Sequence, residues 1–176
     1  MPAATVPPAK RHVVSALVVD RPGTLNRVSG LLRARSFNIE SLTVGSTHVP
    51  GQSRMTIVIR GDEAHTHQVL AQLNRVIEVL EVDDLTHSPS LELELALVEL
   101  DTPADAEAEA TVRAAMSMAG GELLDANGRW RLRLAAAPDA VEAALITLRA
   151  TGLRNLVRAG TVAMATSPAH HQGDPA

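Results

Sequence analysis

The sequence predicts an α+β protein built from two ferredoxin-like βαββαβ modules, one after the other. Three observations support this prediction. Stretches with the two-residue period of strands alternate with stretches of helical period, the order strand, helix, strand, strand, helix, strand occurs twice, and a short linker at 86–89 separates the halves. Such a unit folds as a four-stranded antiparallel sheet with both helices on one face. The 176 residues, 45% of them hydrophobic, suffice for two small cores.

The first module opens with a β-branched run that ends at a strong turn signal, the pair Pro22-Gly23. A helix follows, because Leu25, Val28 and Leu32 fall on one helical face. Two β-rich runs joined by a polar Pro-Gly loop form a hairpin, and a second helix and a last strand complete the module. The predicted elements cover residues 13–19, 24–35, 37–47, 54–60, 62–75 and 76–85 in that order.

The second module begins with Leu and Glu in alternation over 91–95, which is the period of a strand with one wet face. An Ala- and Glu-rich segment after Pro103 favours a helix. The pair Asn127-Gly128 favours a tight type I′ hairpin, because both residues tolerate positive φ. The predicted elements cover residues 91–100, 104–119, 122–126, 129–135, 138–149 and 153–166.

Composition excludes several classes of function. The net charge is −4 and no concentrated basic segment is present, which argues against nucleic acid or an anionic membrane as partner. The absence of cysteine removes disulfides and thiol nucleophiles and is compatible with the cytoplasm, where we expect the protein to work. Residues 1–10 and 167–176 are expected to be a disordered lead-in and tail without a membrane anchor.

No motif in the chain predicts catalysis. The seven histidines include no i, i+4 pair beside a carboxylate, so no metal site is expected. The chain also lacks a phosphate-cradling glycine-rich loop and a nucleophile elbow. We therefore expect no catalytic residues.

The hexapeptide DRPGTL at residues 20–25 is the first candidate for ligand binding. Gly23 lies where the first strand turns into the first helix, and a glycine there lets the backbone approach a ligand while free amides at the helix start point outward. An amino-acid carboxylate would be held well at that end, and Asp20 could accept from the ligand's ammonium group. The alternative is that Asp20 is an ordinary cap residue and Gly23 an ordinary turn glycine.

The pentapeptide FNIES at residues 37–41 is the second candidate. Asn38 could be a turn residue before the second strand, or a polar side chain that bonds a ligand across a dimer interface. A small sheet with one uncovered face and a free edge usually pairs with a second copy, so a homodimer is expected. A two-module scaffold without a ligand is the plainer alternative.

Three stretches resemble the ACT domain of acetolactate synthase (acetohydroxyacid synthase) small subunits. They are residues 14–32, the string NIESLTV within 37–45, and the string SRMTI at 53–57 with GDE at 61–63. The resemblance covers about residues 11–86. The string RAG at 158–160 resembles the closing segment of the same family, so 90–166 are interpreted as the C-terminal ACT-like domain of a small subunit.

The resemblance implies a non-catalytic regulatory subunit. Family members hold the large catalytic subunit of acetolactate synthase, which converts pyruvate to 2-acetolactate and CO2, raise its activity, and confer feedback inhibition by valine or another branched-chain amino acid. Thiamine diphosphate, magnesium and FAD are expected on the catalytic subunit and no cofactor on this chain. The alternative is a stand-alone ACT-type amino-acid sensor or a regulator of a different enzyme.

The resemblance also implies where the effector binds, between the ACT domains of a homodimer. The family's effector positions fall on Asp20, Gly23, Thr24 and Leu25 of one subunit, and on Asn38 and Ile39 of the partner.

Overall fold

The computed structural model describes residues 10–34 and 37–166. The lead-in and tail predicted from the sequence therefore lie outside the described residues, apart from Lys10. The described chain forms two compact units. One holds the residues up to Leu91 together with those from Ala163 onwards, and the other holds Glu92–Val162.

The first unit contains the six predicted elements in the predicted order. They are β1 (Lys10–Val19), α1 (Thr24–Ala34), β2 (Asn38–Ser46), β3 (Gln52–Gly61), α2 (Glu63–Leu73) and β4 (Val79–Asp84). β1 starts three residues earlier than its apolar pattern indicates, because the polar residues at its beginning continue the antiparallel pairing with the end of β3. The strand order is β2-β3-β1-β4 with antiparallel neighbours, which confirms the predicted ferredoxin-like arrangement.

Both helices of this unit pack on the same face of the sheet. Alternate residues of β1 and β3 point to that face, as the two-residue period of a strand requires. They meet the apolar stripes of α1 and α2 in one core, whose fully buried members are Val14, Ala16, Val18, Val28, Leu32, Met55, Ile57, Ile59, Val69 and Leu73. On the opposite face, Val13 and Val58 form a smaller buried cluster with Leu85, against which Ala163 and Ala165 pack.

The second sheet repeats the topology of the first. Its elements are β5 (Ser90–Asp101), α3 (Ala106–Met118), β6 (Glu122–Asp125), β7 (Arg129–Ala136), α4 (Pro138–Arg149) and β8 (Leu153–Ala165), and its strand order is β6-β7-β5-β8. The connection between β6 and β7 has three residues, 126–128, and differs from the two-residue turn predicted from the Asn-Gly pair. The Asp125 carboxylate accepts a hydrogen bond from the Asn127 amide over 3.0 Å, which stabilises this longer turn.

The solvent-exposed face of β5 is the one that carries the leucines at its start. Leu93, Leu95 and Leu97 are 40–54% exposed, whereas Glu94 is buried. The residues that follow decide which side of β5 is buried, because Ala96, Val98 and Leu100 all enter the core beneath the helices. Glu94 therefore points inward, where Arg158 donates to both of its carboxylate oxygens.

Candidate functional site

The connection between β1 and α1 turns at Gly23. Its φ is +95°, a conformation that a side chain at this position would strain. Apart from Gly23 and its two chain neighbours, no heavy atom of the described residues lies within 4 Å of the point where a Cβ would stand, so the glycine borders open space. The amide of Arg21 donates to the Val19 carbonyl over 3.1 Å, and the amide of Thr24 donates to the Arg21 carbonyl over 3.2 Å. The turn is thus held from within and leaves its outer side accessible.

Thr24, the first residue of α1, points inward. Its side chain is buried, and its hydroxyl donates to the Val19 carbonyl oxygen over 3.0 Å. Both donors of Thr24 are therefore bonded within the chain, since its amide is bonded to Arg21. The residue fixes where the helix begins.

The next residues of α1 offer free donors. The amides of Leu25 and Asn26 lie in the first turn, where an α-helix has no preceding carbonyl to accept from them. Amides at a helix start, with the positive end of the helix dipole, suit a carboxylate. The Leu25 side chain is 47% exposed and presents apolar surface beside these amides, although the sequence pattern places it on the helix's apolar stripe.

Asp20 stands at the end of β1 with its side chain exposed. Its amide donates to the Gly51 carbonyl over 2.8 Å, which anchors the backbone to the turn before β3. Its position next to the Gly23 turn is compatible with acceptance of a hydrogen bond from a ligand's ammonium group.

Asn38 and Ile39 form the start of β2. Asn38 is exposed and pairs with Arg60 of β3, and Ile39 is half-buried against the core and pairs with Ile59. The register shifts directly after Ile39, and the Glu40 carboxylate accepts from the Arg60 guanidinium over 2.5 Å. A bulge of this kind re-aims side chains at a sheet edge.

Within one chain, the two groups of candidate residues lie apart. β1 ends at Val19, which pairs with Gln52, whereas Asn38 pairs with Arg60. These positions are eight residues apart along β3, about 26 Å at the rise of an extended strand. β2 and β1 are also not neighbours, because β3 lies between them. The structure brings Asp20 and residues 23–25 together, and Asn38 and Ile39 together, but not the two groups.

One charged pair beside the Gly23 turn has no signal in the sequence. Arg27, in the first turn of α1, lies 3.1 Å from Glu78 (Nη1 to Oε1), and Glu78 stands directly before β4. The two residues are 51 positions apart, so no local pattern relates them. Only the antiparallel pairing of β1 with β4 brings the segment before β4 to this end of the sheet.

Two observations concern metals and membranes. Among the residues that the structure describes, no three His, Cys, Asp or Glu side chains are grouped as a metal ion would need. None of the helices in the described ranges is long and apolar enough to span a membrane.

Comparison with known proteins relates these features to a family. Residues 14–81 match the AHAS small subunit-like ACT domain. The chain is 36% identical over 165 residues to the probable acetolactate synthase small subunit of Methanothermobacter thermautotrophicus, covering 87% of this chain and 91% of that protein. It is 34% identical over 155 residues to the acetolactate synthase small subunit of Aquifex aeolicus, covering 88% and 81%.

A solved structure agrees with these sequence matches. The crystal structure of the acetolactate synthase small subunit from Thermotoga maritima is similar to this chain with a TM-score of 0.78 at 28% identity, over 91% of this chain and 99% of that one. The matches extend through both βαββαβ modules and are not confined to the first. The resemblance seen in the sequence is thereby confirmed, and the chain belongs to the acetolactate synthase small-subunit family.

Proposed function

We propose that this chain is the regulatory subunit of acetolactate synthase in the biosynthesis of branched-chain amino acids. It performs no catalysis itself, binds the large catalytic subunit that carries thiamine diphosphate, magnesium and FAD, raises its activity, and transmits inhibition by valine or a related amino acid. The observation that carries the proposal is the open Gly23 turn with free amides behind it, in a chain of the small-subunit family.

The groups around the turn match the parts of a branched-chain amino acid. The ligand carboxylate accepts from the first-turn amides of α1, including that of Leu25. Its ammonium group donates to the Asp20 carboxylate. The branched aliphatic side chain packs against the exposed side chain of Leu25 and against Ile39 of the partner subunit.

A second copy of the chain supplies the other half of the site. β2 is an edge strand of its sheet, the position at which a strand of a second copy can pair. A two-fold axis through the middle of β2 sets the two copies antiparallel, with Asn38 of the partner subunit beside Ser46. Ser46 pairs with Ser53, next to the Gln52 that pairs with Val19, so this is the sheet end at which the Gly23 turn lies.

The second module is the surface for the catalytic subunit in this proposal. Leu93, Leu95 and Leu97 form an exposed apolar row along β5, and Val157 of β8 is 59% exposed. A contiguous apolar patch of this kind is typical of a protein-protein contact.

Inhibition follows as a shift between two arrangements of the assembly. The effector bound between two first modules favours the arrangement that does not support the active catalytic subunit. Reciprocity then requires the catalytic subunit to weaken effector binding by the same factor.

The test is acetolactate formation by the purified catalytic subunit from the same source, with and without this chain and with and without valine. Stimulation by the chain that valine reverses supports the proposal. Valine binding by the chain without any effect on the catalytic subunit would instead identify a stand-alone sensor or a regulator of a different enzyme.

A further inference from the structure

A closed ring of contacts surrounds the Gly23 turn. The Val19 amide donates to the Glu78 carbonyl over 2.8 Å, and the Thr24 hydroxyl donates to the Val19 carbonyl over 3.0 Å. The Arg27 amide donates to the Gly23 carbonyl over 2.9 Å, and the Arg27 guanidinium lies 3.1 Å from the Glu78 carboxylate. The ring thus begins and ends at Glu78, whose backbone holds the end of β1 and whose side chain holds the start of α1.

We propose that the Arg27–Glu78 pair is a positioning pair for the amino-acid ligand. It sets the first turn of α1, and with it the free amides after Gly23, relative to the end of β1. This inference rests on the proposed function, because it concerns the same site. It assigns the pair no direct contact with the ligand.

The two members of the pair differ in burial. The Glu78 side chain is 17% exposed and that of Arg27 is 65% exposed. The second carboxylate oxygen of Glu78, Oε2, is buried and accepts no hydrogen bond from any described residue. Removing both charges should therefore change the free energy of unfolding little, whereas removing Arg27 alone leaves the Glu78 carboxylate buried without its cation. What the pair does fix is geometry, because it ties two segments that share no ladder of backbone bonds.

Ligand binding is sensitive to this geometry. Several donors must converge on one carboxylate, and preorganised sites hold such donors within about 0.5 Å of the geometry that binding requires. Loss of the ion pair leaves the Thr24 hydroxyl bond and the helix itself in place, while the first turn of α1 gains freedom to tilt. The expected result is weaker ligand binding by a protein that remains folded.

The experiment measures L-valine binding to the full chain by calorimetry, together with the melting temperature and the stimulation of the catalytic subunit. The variants are Glu78→Gln, Arg27→Gln and the double variant. The matched control is Glu81→Gln, the same change on β4, where the carboxylate lies 3.9 Å from Arg54. We expect each single variant to weaken valine binding about tenfold, because the first-turn amides are no longer held in one geometry for the ligand carboxylate.

The double variant should bind valine no more weakly than either single variant, because both changes break the same pair. Stimulation and the control should stay near the wild-type values. The melting temperature should do so in Glu78→Gln and in the double variant, whereas Arg27→Gln leaves the Glu78 carboxylate buried without its cation and should melt at a lower temperature. The positioning role would be overturned, and the proposed function left standing, by unchanged valine affinity in Glu78→Gln, by additive losses in the double variant, or by a loss in Glu78→Gln that a lower melting temperature accompanies. A wild-type chain that binds no valine would overturn both.

Discussion

Thr24 donates its hydroxyl hydrogen to the carbonyl oxygen of Val19 over 3.0 Å, which fastens the first residue of α1 to the last residue of β1. The Thr24 side chain is buried, and the bond, which is partly buried, spans the turn that contains Gly23. Replacing Thr24 therefore alters the turn without touching its open side. Variants of Thr24 and of Gly23 can therefore separate the shape of the turn from its contact with a ligand.

Thr24→Val should lower the stability of the first module by about 1 kcal/mol, because it removes one buried hydrogen bond and keeps the volume of the side chain. Valine affinity should fall as well, since the first turn of α1 loses its anchor. Thr24→Ser keeps the hydroxyl and should preserve valine affinity. Melting curves and valine titrations check both variants, and equal valine binding by Thr24→Val and the wild type would contradict the expectation.

Gly23→Asp should abolish inhibition by valine and spare stimulation of the catalytic subunit. A carboxylate there occupies the open space beside the first-turn amides and repels a ligand carboxylate. Gly128→Asp is the matched control, because Gly128 also has positive φ and open space but lies in the other unit. Both variants carry similar backbone strain, roughly 1–2 kcal/mol, so persistence of valine binding in Gly23→Asp would place the ligand elsewhere.

Subunit mixing tests whether the site is shared between two copies. Gly23→Asp and Asn38→Ala should each lose valine binding as homodimers. Mixed dimers carry one site with both changes and one site with neither, so half of their sites should recover, which is about a quarter of all sites after random exchange of equal amounts. Calorimetry on mixed and separate samples measures the number of sites. If mixing restores no binding, the two candidate groups do not meet across a two-fold axis.

Arg158→Met should destabilise the second unit by about 3 kcal/mol, because it leaves the buried Glu94 carboxylate without its cation. The hydrogen bond to Glu94 is the largest cause of the raised pKa of Arg158, and it outweighs partial burial, which lowers this pKa. Glu142→Gln removes only the more exposed partner of Arg158 and should cost much less. Urea unfolding followed by the fluorescence of Trp130, the one tryptophan of the sequence, reports on this unit.

Acid should weaken the second unit through Glu99, Asp101 and Asp125. The hydrogen bond from Arg129 lowers the pKa of Glu99, that from Arg154 lowers the pKa of Asp101, and the bond from the Asn127 backbone amide lowers the pKa of Asp125.

A lowered pKa in the folded state means that the unfolded chain binds more protons. The contribution is complete above the ordinary values of 4.5 for Glu99 and 3.8 for Asp101, and it is lost as pH falls through the folded values. The urea concentration at the midpoint of unfolding, followed by Trp130 fluorescence, should decrease as the pH is lowered from about 5 to about 3. Glu99→Gln should flatten this dependence, and an unchanged slope in that variant would exclude Glu99 as a contributor.

The order and type of the elements were predictable because they depend on local pattern. Pro22 and Gly23 end the first strand by their own backbone preferences, and Val28 and Leu32 repeat at helical spacing. The structure confirms both elements. In the second half, Trp130, Leu132 and Leu134 alternate with arginines, a pattern that predicts one shared face, and all three are buried in the second core.

The rest depends on contacts that local pattern does not contain. The buried side of β5 follows from residues further along the strand and from the distant Arg158, so alternation at 91–95 did not reveal that Glu94 is buried. The Arg27–Glu78 pair joins α1 to a segment 51 positions away. The chemistry of a helix start and a turn made Asp20, Gly23 and Asn38 candidates. Family resemblance alone added Thr24, Leu25 and Ile39, and the role of all six in ligand binding stays a prediction.

The separation of Asp20 and Asn38 within one chain makes ligand binding depend on the concentration of the protein, if both residues contact the ligand. An effector that requires both residues is bound only by paired chains, so its apparent affinity depends on the concentration of the protein. Below the dissociation constant of the dimer, most chains would be unpaired, and more of the amino acid would be needed to fill the site. Feedback of this design would begin only after enough subunit has accumulated, which couples the sensing of the product to the supply of the sensor.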